Sequence, residues 1–267
     1  MHSPSFLMAF ILTTLAGLFT MVGSFLVLFT KKTSNRMLSV SLGFSAGVMV
    51  YVSFMELLPE ARLRLISHFG NQAGNWYAVA AFFSGVLLIG VIDKLVPAIE
   101  NPHETHAAKE LKEKKNIDLL RMGTFTALAI AIHNFPEGMA TFIATLKDST
   151  LGLFIALAIA IHNVPEGISV AVPIYHATGS KRKALWYSFL SAVAEPLGAV
   201  AGYLLFHDYL TDAVFGILLA AVAGIMVFIS FDELFPTARE CGQHHLAIYG
   251  LLAGMAVMAV SMLMFVR

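Results

Sequence analysis

The sequence predicts an all-α membrane protein with eight transmembrane helices. Hydrophobic residues make up 58% of the 267 residues, charged residues only 13%, and the mean hydropathy is +0.77. These values lie outside the usual range of soluble domains. A helix needs about 20 apolar residues to cross a bilayer. Polar clusters divide the chain into eight stretches of suitable length: 6–29, 37–59, 76–98, 122–145, 151–175, 184–206, 213–236 and 245–266.

The stretches leave little sequence for a separate soluble domain, so we expect one transmembrane domain over residues 1–267. The first stretch has no basic leader before it and no small-residue cleavage site after it, which favours a retained helix over a signal peptide. The longest polar segment, 99–121, is expected to be a cytoplasmic loop between the third and fourth helices. The single cysteine, Cys241, excludes an internal disulfide and a cysteine-rich metal site.

The distribution of basic residues predicts the orientation of the chain. If the loops are assigned alternately to two sides, thirteen of the seventeen lysines and arginines fall on one side and four on the other. The side rich in basic residues is expected to be cytoplasmic. Both termini are therefore predicted to lie outside the cell.

Two pairs of segments repeat within the chain. AGVMVYVSFMELLPEAR at 46–62 matches AGIMVFISFDELFPTAR at 223–239, and LAIAIHNFPEG at 128–138 matches LAIAIHNVPEG at 157–167. The helices of each pair are an odd number of steps apart along the chain, five for the second and seventh and one for the fourth and fifth, so the two copies would cross the membrane in opposite directions. We therefore predict inverted repeats, with helices 1–3 related to 6–8 and helix 4 to helix 5, an arrangement associated with alternating-access transporters. Duplication without a functional consequence remains the alternative.

Polar residues interrupt three of the most apolar stretches near their centres. His133 and Glu137 are four residues apart, so they share one helix face, and the same spacing recurs at His162 and Glu166. Glu195 lies at the centre of the sixth stretch. Ionisable side chains at this depth are costly to expose to lipid. We therefore expect these residues to face one another or a cavity.

A bound cation is the natural partner for this cluster, because no lysine or arginine lies near the midplane of any predicted helix. Imidazole nitrogen together with carboxylate and amide oxygen suits zinc, iron(II), manganese or cobalt. A single buried histidine is often only a packing residue, but the duplicated pattern favours metal binding. The candidate metal ligands are His133, Asn134, Glu137, His162, Asn163, Glu166 and Glu195.

The two copies HNFPEG and HNVPEG, on the fourth and fifth of eight helices, resemble the signature of the ZIP (Zrt/Irt-like) metal transporters. The resemblance runs through nearly the whole chain and is closest to a bacterial type. It implies a ZIP-type domain that takes up divalent metal through a site between the fourth and fifth helices, with the sixth contributing. Transferred residue by residue, it points to the same seven ligands.

The chain departs from a pattern found in many family members, since Asn163 follows the fifth-helix histidine and Gly167 follows Glu166. We therefore expect broad transport of Zn²⁺ with Fe²⁺, Mn²⁺ and Co²⁺, in a multi-pass protein of the cytoplasmic (inner) membrane. The metal is cargo, so no resident cofactor is expected, and neither is a nucleic-acid partner. A homodimer is one expectation for assembly, since the glycine pairs Gly85 and Gly90, or Gly250 and Gly254, suit close helix contact between or within chains.

Further acidic and histidine residues lie towards the predicted helix ends. Glu56, with Asp232 and Glu233, is hypothesised to form cation-attracting mouths on the two sides. The alternative is that these carboxylates are simply solvated. His103 and His106 in the loop 99–121 suit metal capture or sensing, but a solvated connection is the favoured interpretation.

Two other functional classes remain open. An intramembrane metalloenzyme would also bury histidines and carboxylates, but the sequence contains neither His-Glu-x-x-His nor paired Glu-x-x-His motifs. A carrier of another cationic solute could use the same glutamates. The expected class is a secondary transporter and not an enzyme.

Overall fold

The computed structural model describes residues 6–29, 34–95, 108–147, 149–205, 211–241 and 244–265. Every regular element among these residues is helical. Eight helices follow in order: α1 (Phe6–Phe29); α2 (Asn35–Val52, a π-helical turn Ser53–Leu57, then Leu58–Phe69); α3 (Asn71–Leu95); α4 (Ala108–Lys147); α5 (Ser149–Thr178); α6 (Lys181–Leu205); α7 (Asp212–Ile229, a π-helical turn Ser230–Leu234, then Phe235–Cys241); and α8 (His244–Phe265).

The all-helical, multi-span prediction is confirmed. Among the described residues, all helices except α4 are long and apolar enough to cross a membrane. The middle of α4 contains His133, Asn134, Pro136 and Glu137, which lower the hydropathy of any window that covers them. The sides on which the termini lie, and the inverted relation of the repeats, stay predictions.

Two helices extend beyond the predicted stretches. α2 continues past Pro59 to Phe69, because the proline falls in the first turn after the π-helical segment, where its missing N–H is tolerated. α4 begins at Ala108, so the second half of the expected loop 99–121 is helical. That half is rich in lysine, glutamate and leucine, which are strong helix formers.

Polar caps and glycines define several helix ends. The hydroxyl of Ser34 accepts a hydrogen bond from the backbone N–H of Met37 (3.1 Å) at the start of α2. Ser180 plays the same part at the start of α6, where it accepts from Lys183 N–H at 3.3 Å. Gly179 follows α5 with a positive φ of 65°, a conformation that glycine adopts without strain.

The helices pack in two sets. In the first set, α5 and α6 each contact both α1 and α4. In the second set, α2 contacts α3, α7 and α8, and α3 contacts α7. Contacts between the sets are sparser, and one of them is a buried hydrogen bond from the Ser45 hydroxyl of α2 to the Pro165 carbonyl of α5 (2.8 Å). The candidate ligands all lie on helices of the first set.

Glycines allow close approach of backbones within the second set. Gly85 faces the backbone of Ala221, and Gly254 faces that of Phe44, so a Cβ at either glycine would collide with a neighbouring carbonyl. Gly250 similarly faces Val40. These glycines therefore pack helices within one chain, and they do not support the predicted homodimer.

The two π-helical turns occupy equivalent positions in the longer repeat. Each begins at the eighth residue of its copy, at Ser53 and at Ser230. In each turn the serine carbonyl accepts from the N–H five residues later, of Leu58 or Phe235. Each serine hydroxyl also donates to the carbonyl four residues before it, at 2.7 Å. Similar sequence has therefore produced the same local irregularity twice.

Candidate metal centre

The histidines and glutamates of the two motif copies converge between α4 and α5. His133 Nε2 lies 3.3 Å from Glu137 Oε2 and 3.3 Å from Glu166 Oε1. His162 Nε2 shares a hydrogen bond of 3.0 Å with Glu137 Oε1. All four side chains are buried, and the two imidazole ring centres are 6.3 Å apart. His133 thus contacts Glu137 of its own motif, and the packing of α4 on α5 adds the two contacts that cross between the helices.

The two asparagines are held by hydrogen bonds from their amide nitrogens. Asn134 Nδ2 donates to the backbone carbonyl of Ser191 on α6 (3.2 Å). Asn163 Nδ2 donates to the carbonyl of Ala16 on α1 (2.9 Å) and to Glu195 Oε1. Neither Oδ1 atom has a hydrogen-bond partner among the described residues. Each amide is therefore fixed by its donor, and its oxygen is left as an acceptor.

Several other buried acceptor atoms in this region lack hydrogen bonds within the described part of the chain. They include Nδ1 of His133 and His162, both carboxylate oxygens of Glu166, and Oε2 of Glu137 and Glu195. Buried polar atoms without partners cost free energy. His133, His162 and Glu166 can also each offer one ligand atom within 4.8 Å of the others. This concentration of lone pairs is suited to a cation.

Close glycine contacts fix the third element, α6, beside the cluster. Gly138 of α4 faces the backbone of Glu195, and Gly17 of α1 faces the same stretch of α6. A Cβ at Gly17 would lie 2.9 Å from the carbonyl oxygen of Ala192 and 3.0 Å from Glu195 Cβ. These contacts leave no room for larger side chains. Glu195 is buried, and its Oε1 accepts a hydrogen bond from Asn163 Nδ2.

The acidic residues at the second repeat form a separate group. Asp93, Asp232 and Glu233 can each place one oxygen within 4.8 Å of the others, and the Arg121 guanidinium lies 2.9 Å from Asp93 Oδ1. Asp93 and Arg121 were not among the sequence-predicted site residues. The sequence indicates them only by position: Asp93 lies near the end of α3, and Arg121 lies just before the apolar part of α4.

The other sequence-predicted residues are only partly described. Glu56 lies in the π-helical turn of α2, is half-buried, and has an Oε2 atom without a hydrogen-bond partner among the described residues. His103 and His106 lie outside the described residues.

Comparison with known proteins identifies the family. The sequence model of the ZIP zinc transporter family matches residues 4–118 and 100–262. The chain belongs to the ZIP family. It is 56% identical to the zinc transporter ZupT of Clostridium perfringens, over 97% of this chain and 96% of that protein. It is 57% identical to ZupT of Streptococcus mutans, over 97% of each, and 59% identical to ZupT of Chlorobium phaeovibrioides, over 96% of this chain and 97% of that protein.

ZIP membership confirms the resemblance read from the duplicated motif, including the bacterial ZupT type. It makes the chain a multi-pass membrane transporter of metal, and a secondary transporter rather than an enzyme. The intramembrane metalloenzyme is therefore set aside.

Proposed function

We propose that this chain takes up zinc across the cytoplasmic membrane through the cluster formed by His133, Glu137, His162 and Glu166. The supporting observation is the convergence of these four buried side chains from the two motif copies. The relatives at 56–59% identity are named zinc transporters, which supports zinc as the principal cargo. Imidazole and carboxylate together form the donor set that zinc prefers.

Asn134, Asn163 and Glu195 complete the proposed ligand set. The oxygens of both amides lack hydrogen bonds within the described structure, as does one oxygen of Glu195. Oxygen donors of this kind accommodate iron(II), manganese and cobalt as well as zinc. Because Asn163 is a neutral oxygen ligand, we propose that these three metals are transported along with zinc.

Transport is proposed to alternate access to the site by moving one set of helices relative to the other. The three ligand-bearing helices and α1 pack mainly among themselves, and the contacts to α2, α3, α7 and α8 are sparser. The packing supports the predicted inverted repeat, and with it this proposal: α1 packs on α5 as α6 packs on α4, and α2 packs on α8 as α7 packs on α3. We propose that zinc moves towards the cytoplasm, as the family resemblance implies.

The acidic residues of the two π-helical turns are proposed to attract cations at the two ends of the pathway. Glu56 would lie at the entrance, where its buried Oε2 atom has no hydrogen-bond partner within the described part of the chain. Asp232 and Glu233, joined by Asp93, would lie at the exit. If this is correct, Glu56→Gln raises the KM for zinc and leaves kcat nearly unchanged, whereas an unchanged KM contradicts it.

The decisive experiment is initial-rate zinc influx into proteoliposomes. We expect influx to be lost in the double variant Glu137→Ala with Glu166→Ala, and retained in Asp212→Asn, a control at an exposed acidic residue that forms a surface ion pair with Arg64. Competition by manganese, iron(II) and cobalt then gives the selectivity. If the wild-type protein transports no divalent metal, the proposal is contradicted, and transport of another cationic solute becomes the function to test.

A further inference from the structure

A groove opens between α1 and α6, away from the candidate metal centre. The two helices touch where Gly17 faces Ala192 and Glu195. Further along α1, Gly23 faces the backbone of Val164 on α5, and the Ser24 hydroxyl donates to the Gly167 carbonyl of α5 at 3.3 Å. The second half of α1 therefore follows α5 and separates from the first half of α6.

The walls of this groove are apolar. It has a volume of about 1030 Å³ and is lined by Met21 of α1 and by Leu185, Trp186 and Phe189 of α6. The rings of Trp186 and Phe189 are stacked, with centroids 5.7 Å apart, and both side chains are exposed. Tryptophan is enriched where a membrane helix meets the polar headgroups. This position therefore suits the boundary between acyl chains and headgroups.

One end of the groove is basic. It is bounded by Ser180, Lys181, Arg182 and Lys183, which cap and begin α6. Arg182 and Lys183 are exposed, and no ion pair involving either is present among the described residues. The start of a helix adds a partial positive charge at the same place. An apolar cleft that ends in unneutralised positive charge is complementary to an amphiphile with an anionic head.

We propose that this groove binds an anionic phospholipid. Its phosphate would contact the basic first turn of α6, and an acyl chain would lie between α1 and α6 against Met21, Trp186 and Phe189. Basic pockets at the ends of transmembrane helices bind anionic headgroups in this way. The groove is also as large as the upper range of small-molecule pockets, about 1,000 Å³. The bound lipid would lie beside the point where Gly17 of α1 contacts α6 at Glu195.

The chain contains only two tryptophans, which allows a direct test. In Trp76→Phe, Trp186 alone reports quenching by brominated lipids in reconstituted vesicles. We expect brominated phosphatidylglycerol to bind near Trp186 about three- to tenfold more tightly than brominated phosphatidylcholine. In Trp186→Phe, Trp76 is the reporter. It lies beside the uncharged residues Gly70, Asn71, Gln72 and Ala73, and the one basic side chain described next to it, Arg62, donates to Asn75 Oδ1 at 2.9 Å, so a smaller preference than at Trp186 is expected there.

The charge dependence is tested in the same Trp76→Phe background with Arg182→Gln and Lys183→Gln. The preference for phosphatidylglycerol should fall nearly to one, while quenching by brominated phosphatidylcholine stays unchanged and shows that the groove is intact. Lys94→Gln, a basic residue at the end of α3, is the matched control and should keep the preference. Equal quenching by the two lipids, or a preference that survives removal of Arg182 and Lys183, overturns the proposal. The assay contains no metal, so its outcome is independent of the proposed zinc transport.

Discussion

The two copies of the ligand motif, HNFPEG in α4 and HNVPEG in α5, differ at one residue but meet different neighbours. Glu137 contacts both histidines, His162 at 3.0 Å and His133 at 3.3 Å. The contact of Glu166 is with one histidine, His133, at 3.3 Å. Asn134 is held by α6, and Asn163 is held by α1 and by Glu195. Equivalent residues of the two copies therefore make different contacts, because each copy packs against a different helix.

Duplication conserves the spacing of the ligands within each helix, whereas packing determines the contacts that each ligand makes with other helices. The spacing of histidine and glutamate is a property of each helix, and both copies have it. The bridging position of Glu137 and the link from Asn163 to Glu195 depend on which helices lie alongside. Variants at equivalent positions of the two copies test this inequality directly.

The largest effect is expected at the glutamates. Glu137→Gln removes the negative charge that contacts both histidines, so kcat/KM for zinc influx should fall about 100-fold, against about tenfold for Glu166→Gln. Both variants keep the side-chain volume, and protein amounts in the vesicles are to be matched. Equal losses would show that the copies act alike in spite of their different contacts.

The asparagines should differ in stability. Asn163→Ala removes hydrogen bonds to a backbone carbonyl and to a carboxylate, which should lower the free energy of unfolding by about 2–3 kcal/mol, against about 1 kcal/mol for Asn134→Ala. Thermal unfolding in detergent measures both. Asn75→Ala, at a partly exposed position in α3, is the control. A larger loss at Asn134 would contradict the assigned contacts.

Zinc influx should depend on pH. Histidine nitrogen and carboxylate oxygen bind metal only in their deprotonated forms, so protons compete with zinc at the site. We expect the KM for zinc to rise about tenfold as the pH falls from 8 to 5.5. The glutamates would take up protons as metal leaves. Initial rates at a series of zinc concentrations give the profile, and a constant KM over this range would count against the mechanism.

The smallest effects are expected at two serines that tie the site-bearing helices together. Ser191 of α6 donates to the Ala127 carbonyl of α4 at 2.8 Å, and Ser24 of α1 donates to the Gly167 carbonyl of α5 at 3.3 Å. Ser191→Ala should lower the free energy of unfolding by about 1 kcal/mol. Ser24→Ala should cost less, because its bond is longer. The reverse order in the same thermal assay would not fit these distances.

The sequence predicted the members of the four-residue cluster because the i,i+4 spacing is local and the duplication marked it as more than chance. It also predicted the number of helices, since the apolar stretches are separated by charged residues. The partners of Asn134 and Asn163 were not predictable, because they are backbone carbonyls on helices distant in sequence. Asp93 and Arg121, 28 residues apart, meet only through helix packing.

Residues 108–121 were expected to be a loop because charge alone does not distinguish a solvated loop from a solvated helix. The π-helical turns were also missed, since Ser53–Leu57 and Ser230–Leu234 contain no glycine or proline to indicate an irregular backbone. Both turns occur at the same position of the longer repeat, which indicates that the surrounding sequence determines them. No single residue type in the turns predicts them.

Each π-helical turn also lets its helix hold one extra amino acid without rotating the residues beyond it. A π-helical turn accommodates one residue more than an α-helical turn. Deleting one residue from Ser53–Leu57 would therefore restore regular α-helix locally and keep the residues beyond it in nearly the same orientation. Deleting a residue from Leu58–Glu60, in the regular helix that follows, would instead rotate everything beyond it by about 100°. Ala61 and Leu65, which are buried, would then point in a different direction from the partners they pack against. Codon deletions within the two π-helical turns should therefore be much less harmful than codon deletions in the α-helical segments beside them.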